Sequence, residues 1–199
     1  VSESDAYANL LLPVKLDRAG LHGADAALAT ELTYGTLRQQ GYYDLVIELA
    51  AGRPRDRIDP PVLDVLRLAA HQLLSMRVAQ HAAVDEAVSL ARIVGSRSAT
   101  GFVNGVLRTI SRTTPTQWRD RVIGEQTTED DRLAAEFSHP VWIVRAFRQA
   151  LAADGREGDL SELLAFDNVA RLVTLAALPG LAVRDELDGA DPGEISPVC

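Results

Sequence analysis

The sequence predicts an all-α fold followed by a helical linker and one orphan strand. Apolar residues in positions 1–150 recur at helical steps of three and four, and helix start and stop signals flank these stretches. Only one stretch, near the C-terminus, has the composition of a strand. With 199 residues, 47% of them hydrophobic, the chain is long enough to bury a sizeable core.

The N-terminal elements are predicted in order from these signals. A short helix covers residues 7–16 and is interrupted near Pro13, a long helix covers 24–40, and another covers 42–51. The next helix begins after Asp59 as N-cap, with Pro60 at the first helical position, where a missing N–H costs nothing. Its wide apolar stripe predicts that it is the central helix of the bundle: Val62, Leu63, Leu66, Leu68, Ala69, Leu73 and Met76.

Two helices follow the central one and precede the linker. The first passes through residues 84–94 and is predicted to end at Gly95 in a left-handed conformation. The second passes through residues 103–110 and stops before Pro115. Downstream, helical patterns cover 130–137, 141–153 and 157–166, and residues 172–178 have the strand composition. A lone strand needs a partner, so we expect residues 172–178 to pair with something outside the chain.

Charge is distributed unevenly along the chain. Residues 1–124 contain 14 basic and 13 acidic side chains, whereas residues 125–199 contain 6 basic and 15 acidic ones. Six arginines lie between positions 92 and 121, with Asp120 as the one acidic residue among them. Such a local excess of positive charge suits an anionic partner such as RNA.

Several kinds of chemistry are not predicted. The sequence has no phosphate-binding loop, no dinucleotide-binding glycine motif and no nucleophile elbow, so we expect no catalytic residue. The four histidines lack metal-ligand spacing, and the single cysteine is the last residue, so we expect no metal site. No apolar stretch is long enough for a membrane helix, and we expect a cytoplasmic protein. The start at Val1 and the turn-rich end predict a piece of a longer chain.

Three ordered segments resemble one protein family. They are ELTYGTLR at 31–38, AVDEAV at 83–88 and GFVNGVLR at 101–108. Together they are similar to the NusB family, whose all-helical fold binds RNA. The resemblance covers residues 5–124, which we interpret as a NusB-like RNA-binding domain.

The continuation of the chain resembles a second, larger group. After the NusB-like part come HPVWIV at 139–144 and LLAFDNV at 163–169. Their order is similar to the region that joins the NusB-like domain to the catalytic domain in bacterial 16S rRNA cytosine-C5 methyltransferases of the Sun/Fmu type. The resemblance implies a linker at 125–170, and at 171–199 the start of a region leading into a missing catalytic domain.

That resemblance also implies a parent enzyme. Its cofactor is S-adenosylmethionine, its target is small-subunit rRNA, and its catalytic domain acts in cis. We expect no cofactor and no activity in this fragment itself, because the sequence contains no glycine-rich strand-to-helix turn and no motif cysteine.

Six residues are candidates for a role. Arg92, Arg97, Arg108 and Arg112 surround a predicted helical hairpin and are the candidate RNA-binding residues. Glu86 and Asn104 lie on otherwise apolar helices, so we predict that they are structural polar residues held by hydrogen bonds. Glu86 in particular is predicted to be buried and paired.

Two other functions remain open at this point. One is an antitermination module of the NusB type, which binds RNA and a ribosomal protein. The other is a packing platform for the catalytic domain that binds no RNA, with arginines that merely solvate its surface.

Overall fold

A computed structural model describes residues 7–95 and 97–169, with the backbone alone at Arg97. The described residues form ten α-helices and contain no strand. The predicted strand at 172–178 lies outside the described residues. The helices are α1 (Ala8–Arg18), α2 (Gly23–Arg38), α3 (Gln40–Ala51), α4 (Pro60–Ser75), α5 (Gln80–Val94), α6 (Arg97–Ser111), α7 (Pro115–Gly124), α8 (Glu129–Glu136), α9 (Val141–Ala153) and α10 (Leu160–Asp167). Short 3₁₀ turns occur at Arg55–Arg57 and Glu157–Asp159.

Helix α4 is the central helix, as its apolar stripe predicts. It packs against α2, α3, α5 and α6. Pro60 opens the helix after Asp59, but the Asp59 side chain makes no capping hydrogen bond. The main core gathers around α4, and its largest fully buried side chains are Trp118, Tyr43, Ile47, Leu66, Leu107 and Ile110.

Helices α5 and α6 form a hairpin, because only Gly95 and Ser96 join them and the two helices pack closely. The prediction of a left-handed Gly95 is wrong, since its φ of −118° is extended. The position needs glycine for space instead. A Cβ there would lie 2.9 Å from the Ala99 Cβ and 3.0 Å from the Val62 Cγ2.

Helix α7 was not predicted, although its start has a local signal. Thr114 and Gln117 form a capping box, and Pro115 occupies the first helical position. Trp118 is 1% exposed, and its indole N–H donates to the Ile110 carbonyl at 3.0 Å. That bond satisfies a carbonyl at the end of α6 and fixes α7 against it.

A second, smaller core lies among α8, α9 and α10. Ala134, Val144, Leu160 and Leu164 are buried together there. The turn between α8 and α9 contacts the start of α3, where the Tyr42 backbone N–H donates to the Ser138 Oγ at 3.2 Å. The first four amides of a helix lack internal partners, so Ser138 caps α3 from a distant part of the chain.

Candidate nucleic-acid interface

Helix α6 has two faces of opposite character. Its buried face consists of Ala99, Val103, Val106, Leu107 and Ile110. Its exposed face, on the opposite side of the helix, consists of Ser98, Gly101, Gly105, Arg108 and Thr109, and continues to Arg112. We call these six exposed residues the α6 face. The helix contains no acidic residue.

Arg108 and Arg112 are the cations of the α6 face. Both are exposed, and neither forms an ion pair within the part of the chain that the structure describes. Arg108 lies in the last turn of the helix, and Arg112 follows directly after its end. Cations are favourable at a helix C-terminus, and a phosphate bound here meets no competing carboxylate from α6.

The other two predicted arginines lie at the opposite end of the hairpin. Arg92 is exposed in the last turn of α5, and Arg97 begins α6. The Arg97 side chain is outside the described atoms. Arg108 is eleven positions after Arg97, which corresponds to about 16 Å along the helix axis. The hairpin therefore presents two groups of arginines at its two ends rather than one cluster.

Gly101 and Gly105 lie between these two groups on the α6 face. A Cβ added at either position would meet nothing within 4 Å. Glycine in an exposed helix interior is less stable than alanine by about 0.5–1 kcal/mol, and no packing contact among the described residues compensates for this. The absence of side chains leaves the helix backbone open to close approach.

The predictions for Glu86 and Asn104 are wrong. Glu86 is exposed, and Asn104 is half-buried. Neither side chain makes a hydrogen bond to another described residue. The buried face of α5 consists of Ala83, Ala87 and Ala91, and Glu86 is one residue out of phase with it. Its position between two valines does not predict burial, because Val84 and Val88 are themselves only partly buried.

A buried ion-pair network was missed by sequence reasoning. Asp44 is 2% exposed and accepts two hydrogen bonds from Arg67, at 2.6 Å and 2.9 Å. Arg55 donates to the same carboxylate at 2.9 Å. The paired carboxylate ties α3 to α4, and no local spacing signals a contact between residues so far apart in the chain.

A second missed feature involves Arg53. Its guanidinium carbon lies 4.1 Å from the centroid of the Phe102 ring, on α6. The contact connects the loop after α3 to the edge of the α6 face.

His71 is buried in a polar network among α2, α3 and α4. Its Nδ1 lies 2.8 Å from the Tyr43 hydroxyl, which also lies 2.7 Å from the Ser75 hydroxyl. Burial lowers the pKa of His71, with the Glu31 carboxylate acting in the opposite direction. Burial also raises the pKa of Tyr43 to about 12. A Cβ at Gly35 would lie 2.4 Å from the His71 ring, so the glycine of ELTYGTLR gives the imidazole its space.

Two other features, a metal-binding cluster and a membrane-spanning helix, are absent from the described residues. No group of three or more histidine, cysteine, aspartate or glutamate side chains is arranged to hold a metal ion there. None of the helices described is both long and apolar enough to cross a membrane.

Several curated proteins are similar in sequence to this chain. A Mycobacterium tuberculosis protein named as a methyltransferase is 45% identical over 98% of this chain and 42% of its own length. A Bacillus subtilis protein named as ribosomal RNA small subunit methyltransferase B is 34% identical over 79% of this chain and 34% of its own length. An Escherichia coli protein of that name is 28% identical over 75% of this chain and 32% of its own length.

The chain thus spans less than half the length of these curated relatives. No solved structure matches it significantly. The family model described as NusB family matches residues 1–112, which include α2 to α6 and all three segments that suggested the resemblance. With more than half of its length matched and an all-α fold, this chain belongs to the NusB family.

Proposed function

We propose that this chain is the RNA-binding, substrate-positioning N-terminal part of an S-adenosylmethionine-dependent methyltransferase that modifies cytosine C5 in 16S rRNA. The observation that supports RNA binding best is the α6 face, which has exposed, unpaired Arg108 and Arg112 and no acidic residue from its own helix. Phosphates supply most of the affinity in such an interface, and arginine is their usual partner. The names of the relatives support small-subunit rRNA as the target.

The greater length of the relatives supports a division of the whole protein into an RNA-binding part and a catalytic part. Residues 5–124 would be the RNA-binding domain, 125–170 a helical linker, and 171–199 the start of a region leading to a catalytic domain in cis. The described residues contain no glycine-rich strand-to-helix turn, so they offer no site of the dinucleotide-binding type for S-adenosylmethionine. The cofactor would bind in the catalytic domain, and this chain alone would be inactive. An rRNA target would place the whole protein in the cytoplasm.

The antitermination alternative is less well supported. The similarity to the M. tuberculosis relative covers 98% of this chain, well beyond the residues 1–112 that match the NusB model. A free-standing NusB-type module does not require that continuation. The packing-platform alternative is tested directly by RNA binding.

The test compares the binding of this chain to a small-subunit rRNA fragment at several salt concentrations. Arg108→Ala together with Arg112→Ala should weaken binding for all sequences alike and flatten the log–log salt slope by at most about two units. Stability should change by no more than about 0.5 kcal/mol, because both side chains are on the surface.

Lys15→Ala together with Arg18→Ala is the matched control, since both side chains are exposed in the last turn of α1 and their removal changes the net charge by the same two units. It should leave the slope unchanged. Unchanged affinity and slope in the double variant would reject the α6 face as the interface and favour the packing platform.

A further inference from the structure

The loop after α3 holds one arginine in a defined place beside the α6 face. Arg53 lies between Gly52, whose φ is 62°, and Pro54, whose φ is −61°. Pro54 restricts the backbone of Arg53 directly before it, and Gly52 permits the left-handed turn that ends α3. The guanidinium carbon lies 4.1 Å from the centroid of the Phe102 ring, within the range of a cation–π contact.

Arg53 is available for a ligand, in contrast to its neighbour Arg55. Arg55 donates to the buried Asp44, whereas Arg53 is exposed and has no carboxylate partner among the residues described. The Phe102 ring lies against the guanidinium, and the Arg53 side chain remains exposed to solvent. A planar guanidinium held in this way can stack on a nucleobase.

The position of Phe102 connects this platform to the α6 face. On a helical projection, Phe102 lies within about 60° of Gly105 and about 20° of Thr109, at the border between the buried and exposed sides. An RNA strand that lies along the α6 face therefore passes next to Arg53.

Arg53 also lines a groove between the end of α3 and the end of α7. It has a volume of about 360 Å³, and its apolar lining includes the half-buried Leu45 and the exposed Leu49. Glu48 and Glu125 also line it, and the Oε1 atom of Glu48 accepts from the Arg55 backbone N–H at 2.9 Å, which leaves Oε2 for a ligand. An apolar groove of this size accommodates one base, and carboxylates accept hydrogen bonds from an exocyclic amino group such as that of cytosine. The same carboxylates repel phosphate, which would stay on the arginine side.

We propose that the Arg53–Phe102 pair and the adjoining groove form a subsite for one unpaired, amino-bearing nucleotide of the bound RNA. The inference rests on the proposed function and adds a subsite for a single-stranded nucleotide to it. Base stacking on Arg53 provides the affinity of the subsite. The carboxylates provide its preference for a base with an exocyclic amino group.

The test uses fluorescence anisotropy with this chain and three labelled 12-mer RNAs: oligo(C), oligo(U), and a mixed-sequence duplex. Arg53→Lys keeps the charge and removes the stacking plane, so it should weaken oligo(C) binding at least about fivefold and leave duplex binding within about twofold of the original. Phe102→Leu should give the same pattern, with folding checked by circular dichroism. Arg57→Lys, an exposed arginine in the same loop, is the control and should change neither affinity.

The outcomes separate this inference from the proposed function. The subsite is overturned if Arg53→Lys binds oligo(C) as tightly as the original chain, or if it loses the same affinity for oligo(C) and for the duplex. Either result leaves the proposed function intact, because the Arg108 and Arg112 double variant tests that function independently. Equal binding of oligo(C) and oligo(U) by the unaltered chain overturns the amino-group preference. Failure of the unaltered chain to bind any of the three RNAs overturns both proposals.

Discussion

The hydrogen bonds around His71 define its tautomer. The Nε2 atom has no hydrogen-bond partner among the described residues, and the Glu31 carboxylate lies 3.5 Å from it. A neutral ring with its proton on Nε2 points that N–H towards Glu31 and leaves Nδ1 to accept from the Tyr43 hydroxyl. The Tyr43 oxygen then accepts from the Ser75 hydroxyl, so each hydroxyl donates once.

This buried neutral histidine predicts a loss of stability in mild acid. Burial lowers the pKa of His71 in the folded chain, whereas in the unfolded chain the ring has its ordinary value near 6.5. The unfolded state therefore takes up the proton first, and the free energy of unfolding decreases as pH falls through about 6.5 towards the lower folded value. Above that range the contribution is fully present.

Urea unfolding at pH values between about 5 and 8 measures this effect. His71→Gln should flatten the decline below pH 6.5, although it lowers stability at neutral pH by removing a buried hydrogen bond. His81→Gln changes an exposed histidine of α5 and should retain the original pH dependence. The same decline in both variants would assign the acid sensitivity to other groups.

At the scale of elements, local signals identify some helices and miss others. The amphipathic pattern gives α9 its observed bounds, Val141–Ala153, because both ends have ordinary signals: Pro140 before it and Asp154-Gly155 after it. Helix α7 was not predicted because Pro115 serves two signals: a proline ends the preceding helical pattern, and it also occupies the first position of the next helix. Helical periodicity also failed to identify the buried face of α5. That face consists of alanines rather than valines, which is why Glu86 is exposed.

The two glycines of α6 lead to a prediction in which stability and binding change in opposite directions. Gly101→Ala together with Gly105→Ala should raise the free energy of unfolding by about 1–2 kcal/mol, because alanine is favoured in a helix interior and each methyl has free space. If RNA lies against this face, the methyl groups hold it away from the helix backbone. Affinity for the rRNA fragment should then fall several-fold while stability rises.

Thermal unfolding and anisotropy on the same samples measure both quantities. Gly158→Ala, at an exposed glycine in the second 3₁₀ turn that also has nothing within 4 Å, should leave RNA affinity unchanged. A double variant that gains stability and keeps full affinity would show that the bound RNA does not approach the middle of α6.

At the scale of the whole molecule, the sequence predicted the helical class and the central helix but not the contacts between distant segments. Helical periodicity reports which side of one helix is buried. It does not report that Asp44 meets Arg67, that Arg53 covers Phe102, or that Ser138 reaches Tyr42. These contacts are set by the packing of whole helices, and the Ser138–Tyr42 contact joins the turn between α8 and α9 to the main bundle.

Ser138 makes one of the contacts between the two hydrophobic cores, beside Ala135 of α8, which is buried in the main core. Its φ of 56° is left-handed, and the His139 N–H donates to the Ala134 carbonyl at 3.0 Å, which closes helix α8 in a Schellman motif. Glycine usually occupies this position, so the serine is retained at a conformational cost. Its hydroxyl oxygen accepts the Tyr42 N–H, and Gly41 leaves room for it, because a Cβ at position 41 would lie 3.2 Å from the Ser138 Oγ.

Ser138→Ala should therefore loosen the attachment of α8–α10 to the main bundle. Loss of a helix cap lowers stability by about 0.5–2 kcal/mol. Ser138→Gly removes the same oxygen but relaxes the left-handed backbone, so its loss should be smaller than that of Ser138→Ala. Hydrogen exchange should show faster exchange at the start of α3 and across α8–α10, with the amides of the central helix α4 little changed. If both variants instead accelerate exchange in α4 and α8–α10 by the same factor, the two cores unfold as one unit and the Ser138 contact stabilises the whole bundle.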